Sequence, residues 1–148
     1  MPDVIEARAL VLRTAAGAGY DAGLIDRIFQ HAPLDFPIII SNSLPFFAHR
    51  LGMAGITLRG RVHLLKSILK HSPADIIVLI RHEAEHVRQQ RERGPAFYPR
   101  YVYDWIGGFL GHLPAAPGPR WHRAYLNIPY EREAYSAGRS ARILLDRK

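Results

Sequence analysis

Apolar residues change period several times along this chain, and each change marks an element. Val4, Ile5, Leu10, Val11 and Leu12 make a mixed helical pattern over positions 3 to 15, and Leu24, Ile25, Ile28 and Phe29 repeat it over 21 to 31. Two short helices joined through Gly17 and Gly19 are predicted. The compact run FPIII, 36 to 40, sits among proline and turn residues and reads as a buried strand. GITLRGRVHLLKS, 55 to 67, reads as a hairpin turning at or near Arg59-Gly60. A long helix follows. Ser72 is placed to cap it, Pro73 suits its first position, Asp75 complements the dipole, and Gly94-Pro95 stops it. An aromatic helix over 96 to 112 carries Phe97, Tyr98, Tyr101, Tyr103, Trp105 and Phe109, expected to pack the core. PAAPGPR, 114 to 120, reads as irregular loop, and a last helix begins beyond Pro129. The pattern predicts an α+β fold in one domain, 1–148: a small sheet with an edge hairpin, packed on the 73–93 helix.

Composition narrows the chemistry. The chain has 148 residues, 48% hydrophobic and 22% charged, which suits a globular domain. No segment is long and apolar enough to span a bilayer, and no basic region precedes the first apolar run, so neither membrane association nor a signal peptide is expected. Cysteine is absent, which excludes disulfides and thiolate chemistry and leaves His, Asp and Glu as strong metal ligands. Its absence fits a cytoplasmic location. The net charge of +7 would favour anionic partners, but the arginines are scattered and no recognition helix or aromatic RNA-binding signature accompanies them.

The 73–93 helix carries His82-Glu83-Ala84-Glu85-His86. At 100° per residue, positions 82 and 86 lie on one face, one turn apart, where two imidazoles can grip one ion. Glu83 lies beside them, placed to act on a metal-activated water as general base. Its neighbours four residues away are Leu79 and Val87, so it lacks a local charge partner. Ile76, Ile80, Ala84 and Val87 form an apolar arc. Arg81, Glu85, Arg88 and Glu92 form a ladder of opposite charges, expected to be solvated. So short a motif also arises by chance, and a third ligand must decide. The extended pattern HExxHxxGxxH is excluded by Gln89 and Glu92. Of the carboxylates downstream, those in YEREAY, Glu131 and Glu133, remain the candidates, because Asp104 reads as a surface or supporting residue and Asp146 as part of the tail.

HExxH followed by Glu-x-x-Ala on a later helix resembles the gluzincin branch of zincin metallopeptidases, and HEAEHVRQQ with YEREAY is similar to small bacterial gluzincin-like domains. The resemblance covers about residues 72 to 140 and implies a zincin-like fold, Zn2+ as cofactor and a peptide or protein substrate. Carried over by position, it implies His82, His86 and Glu131 as metal ligands and Glu83 as the catalytic base, with Glu133 the competing ligand. Two positions depart from the family pattern: Tyr135 stands where an aspartate is usual, and Glu85 where the residues between the histidines are usually uncharged.

Zinc-dependent hydrolysis of peptide bonds is therefore the expected function. A non-enzymatic binding or assembly module with a structural metal is the alternative, and a basic nucleic-acid binder with an accidental motif is the third, disfavoured by the scattered charge. His49, His63, His71, His112 and His122 stand alone and read as surface or core polar residues, while His122, Tyr125 and Tyr130 are placed to reach a developing oxyanion.

Overall fold

The structure is a computed structural model that describes residues 1–45, 53–111 and 124–147. The predicted loop at 114–120 and residues His49, His112 and His122 lie outside them. Four strands, β1 (Asp3–Glu6), β2 (Pro37–Ser41), β3 (Gly55–Leu58) and β4 (Arg61–Leu65), form one mixed sheet in the order β1-β2-β4-β3. β2 and β4 run parallel, whereas β1 and β3 join their neighbours antiparallel. The helices are α1 (Ala7–Gly17), α2 (Ala22–Ile28), α3 (Pro73–Arg93), α4 (Phe97–Gly111) and α5 (Pro129–Asp146). An α+β architecture is thus present, with α3 on the sheet and α5 against α3.

The predicted N-terminal helix is shorter than its apolar pattern. Residues 3 to 6 are strand, paired with β2 from Asp3↔Ile40 to Glu6↔Pro37, and the helix begins at Ala7. Two adjacent apolar residues, Val4 and Ile5, fit either period, and an unpaired edge of β2 supplies backbone partners that an isolated helical turn would lack.

The hairpin turns where the sequence places it. Arg59 and Gly60 have φ of 50° and 72°, as a two-residue turn with both central residues left-handed requires. The register then sets one face of the sheet: Ile38, Val62 and Thr57 in one row, Ile40, Leu64 and Gly55 in the next. These six are buried, and α3 covers the β3–β4 end. Ile77 and Ile80 of α3 are fully buried in this core, each stabilising it by roughly 1.5–3 kcal/mol relative to exposure. A smaller cluster of Phe97, Ile128 and Tyr130 gathers Tyr101, Trp105 and Tyr125 around it. α4 is only partly the core helix predicted, since Val102, Tyr103, Ile106 and Leu110 are exposed. Among the described residues no helix is long and apolar enough to cross a membrane.

α3 begins as predicted: Ser72 Oγ accepts from Asp75 N at 3.2 Å and donates to Asp75 Oδ2 at 2.6 Å. Ser72→Ala removes the cap and is expected to lower stability by about 1 kcal/mol in urea unfolding; an unchanged midpoint would show that the first turn holds without it.

Candidate metal centre

α5 meets α3 through a stripe of small residues. Glu131, Ala134, Gly138, Ala141 and Leu145 are buried at spacings of three and four, with Tyr130 buried beside them in the aromatic cluster. A Cβ on Gly138 would stand 3.7 Å from the Val78 carbonyl oxygen, so the two backbones run close together. That approach carries Glu131, in the first turn of α5, onto the histidine face of α3.

His82 and His86 meet edge to face, with ring centroids 4.9 Å apart. His82 Nε2 lies 3.4 Å from Glu131 Oε2, and His86 Nε2 lies 3.2 Å from Glu131 Oε1. The three residues offer ligand atoms that all lie within 4.8 Å of one another, and all three are buried. Glu133, the competing ligand, points elsewhere: its side chain is 55% exposed, takes a hydrogen bond from Gln89 Nε2 at 2.9 Å and faces Arg88. The chain therefore groups two imidazoles with Glu131.

The donor set fits a divalent cation on a direct observation. Glu131 Oε2 is a buried oxygen without a hydrogen-bond partner among the described residues, an arrangement that costs free energy unless a positive charge faces it. Two neutral imidazoles and one carboxylate also match the protein share of a zinc site that keeps a position open. His86 is already oriented as a ligand, with its Nδ1 lying 2.8 Å from Gln89 Oε1. Because Gln89 Nε2 donates to Tyr130 O at 3.0 Å and to Glu133, Oε1 is the acceptor, so Nδ1 carries the proton and Nε2 faces Glu131.

The electrostatics follow from burial. Burial pushes the His86 imidazole down, but Glu131, then the charge of Glu83 and the Gln89 contact, outweigh it and raise its pKa to about 9. Burial likewise pushes the Glu131 carboxyl up, and the two imidazoles overcome it to hold Glu131 well below the usual carboxylate range. Tyr101 and Tyr125 are pushed upward by burial and by the charge of Glu131, so both stay phenols. Tyr101 donates to Glu131 Oε1 at 2.6 Å. Tyr135, at the position of the family's aspartate, packs its ring edgewise on His82 at 4.7 Å. Tyr130, a candidate oxyanion donor, instead stacks on Phe97 at 4.8 Å in the aromatic cluster.

Glu83 is buried beside the histidines. Its Oε2 accepts from Thr57 Oγ1 of the edge strand at 2.6 Å. Glu85 departs from expectation: it is not solvated but 6% exposed, clamped by Arg81 at 2.9 Å and by Arg88. Burial raises the Glu85 carboxyl, and the Arg88 and Arg81 hydrogen bonds more than offset it, holding the group below its usual range. Arg81 Nε in turn donates to Ile28 O at 3.0 Å, so the Arg81–Glu85 half of the charge ladder is turned to α2, while Glu92 at its other end is exposed as expected.

Besides Tyr101, which the sequence marks only as a core aromatic, four supporting residues escaped the sequence reading. Gln89 carried a usable signal, since three residues past His86 is the same helical face. Gln90 ties α3 to the hairpin, accepting from Gly60 N at 3.0 Å and donating to Thr57 O at 2.9 Å. Gly55 and Thr57 reach Glu83 only through the tertiary fold and leave no local trace. Comparison with known proteins gives no match to any protein family, curated protein or solved structure.

A Cβ at Gly55 would fall 2.7 Å from Leu64 Cδ2 and 2.9 Å from Glu83 Oε1. Gly55→Ala is expected to cost about 1–3 kcal/mol as β3 shifts off α3, read by thermal unfolding; a neutral substitution would mean that Glu83 moves freely. The raised His86 pKa sets a pH trend of opposite sign in the two forms. In the metal-free protein its contribution to stability is complete below about 6.5 and lost as pH rises through about 9. Metal must displace that proton, so apparent zinc affinity should climb about tenfold per pH unit across pH 7 to 8.5. Calorimetric titrations in buffers of differing ionisation enthalpy read the released proton; release of none contradicts a protonated His86.

Proposed function

We propose that the protein is a zinc-dependent hydrolase of peptide bonds with a zincin-like site, in which His82, His86 and Glu131 are the ligands and Glu83 is the general base. The observation that carries this reading is the buried Glu131 carboxylate facing two imidazoles, with its Oε2 lacking a hydrogen-bond partner among the described residues. When bound, zinc supplies Lewis-acid polarisation of a carbonyl and brings the acidity of water towards neutral pH. The chain's own groups do the remaining work. Thr57 occupies Glu83 Oε2, which leaves Oε1 to accept a proton from water and to return it to the leaving amine. The phenols of Tyr101 and Tyr125 remain donors beside Glu131 across the physiological range.

A substrate strand has a place to bind. β3 is a sheet edge, and the pairing Leu58↔Arg61 around a two-residue turn directs the backbone groups of Thr57 and Gly55 away from β4. Gln90 takes the Thr57 carbonyl. Among the described residues nothing pairs with Gly55 N–H and C=O or Thr57 N–H, which can take an extended peptide alongside Glu83.

A second reading draws support from the burial of His82, His86, Glu131 and Glu83 together: the metal serves structure, and the domain binds or assembles without turnover. One pair of variants separates the two. Glu83→Gln is expected to keep one zinc per chain by elemental analysis and lose at least about 100-fold in cleavage of a peptide library followed by mass spectrometry, whereas His82→Ala loses the zinc. Cleavage that survives Glu83→Gln rejects the base, and stoichiometric zinc without cleavage by the parent protein favours the structural role.

A further inference from the structure

Tyr101 stands on α4, a helix whose buried side chains otherwise belong to the aromatic cluster around Phe97, Ile128 and Tyr130. Its hydroxyl leaves that cluster and donates to Glu131 Oε1 at 2.6 Å. The bond makes the two carboxylate oxygens unequal. Oε1, which also lies 3.2 Å from His86 Nε2, holds a short O–H···O⁻ contact, the stronger class of hydrogen bond, while Oε2 faces His82 Nε2 at 3.4 Å and has no hydrogen-bond partner among the described residues.

A carboxylate ligates a cation through one oxygen or through both, and the choice sets how many coordination positions stay open. We infer that Tyr101 holds Glu131 as a one-oxygen ligand, with Oε2 offered to the cation and Oε1 kept by the phenol. The inference rests on the metal-centre reading above. Drawing Oε1 onto the ion as well would pull it from the Tyr101 hydroxyl or make one oxygen serve both, and weakening the bond to a partly buried hydroxyl beside an apolar cluster is penalised. Two imidazoles and a single oxygen make three protein donors, the number that leaves a fourth position free. Tyr101 acts through Glu131 and is therefore a positioning residue. It also couples α4 to the centre, because a displacement of that helix releases Oε1 and raises the coordination number.

The coordination number can be read without turnover. Cobalt(II) in place of zinc gives intense visible absorption at four-coordination, and the intensity falls as ligands are added. The cobalt-loaded parent protein is expected to absorb strongly. Tyr101→Phe should absorb more weakly and bind cobalt about 10- to 100-fold less tightly, with the melting temperature of the metal-free protein held within a few degrees. An unchanged spectrum and affinity in Tyr101→Phe overturn the inference. Should that variant fail to fold, the unmutated protein decides: the separation between antisymmetric and symmetric carboxylate stretches, in a zinc-loaded minus metal-free infrared difference, is wide for one-oxygen ligation and narrow for two. A narrow separation rejects the role of Tyr101 and leaves the metal centre standing, whereas a parent protein that binds no cobalt rejects both.

Discussion

The Glu131 carboxylate, buried between two imidazoles, is the interaction around which the rest of the molecule is arranged. It reaches them because α5 lies on α3 through Ala134, Gly138 and Ala141, side chains too small to hold the helices apart. A charge taken out of water at this depth is costly unless an opposite charge accompanies it. A proton on His86, whose pKa Glu131 raises, meets that cost in the metal-free protein, and a cation bound in its place would meet it equally. Protonation and metal binding would therefore compete for the same stabilising role at the α3–α5 contact.

Along α3 the apolar and polar roles are divided by position. Ile76, Ile77 and Ile80 anchor the first half in the main core. From His82 to Gln90 the helix is polar and still almost entirely buried, which a globular fold tolerates only when every group has a partner. Thr57 serves Glu83, two arginines serve Glu85, Gln89 serves His86, and Gln90 holds the hairpin turn and the Thr57 carbonyl. The hairpin, α5 and α2 are thus each fastened to the same two turns, and the geometry of the centre is over-determined rather than left to a loop.

Much of this was legible locally. Ser72-Pro73 and Gly94-Pro95 mark the ends of α3, Arg59-Gly60 marks the turn, and the four-residue spacing of His82 and His86 puts both rings on one face, because each depends on neighbours in sequence. Choosing between Glu131 and Glu133 needed more. They differ by two residues and hence by about 200° around α5, and only the packing of the small-residue stripe shows which faces α3. Glu85 misled for a related reason: an alternating charge row looks the same whether it faces water or another helix, and here Arg81, which holds Glu85, is itself tied to α2 at Ile28 while Glu92 stays exposed. The strand at 3–6 was hidden because its partner, β2, lies more than thirty residues away.

The depth of the three ligands bears on how an ion would come and go. With His82, His86 and Glu131 each at most 9% exposed, an ion held between them would be enclosed by protein on its ligand side, and releasing it would require α5 to move off α3. Exchange governed by such openings is slow compared with simple surface chelation. The element that such a molecule carried would then depend on the supply when the helices first close as well as on the order of affinities.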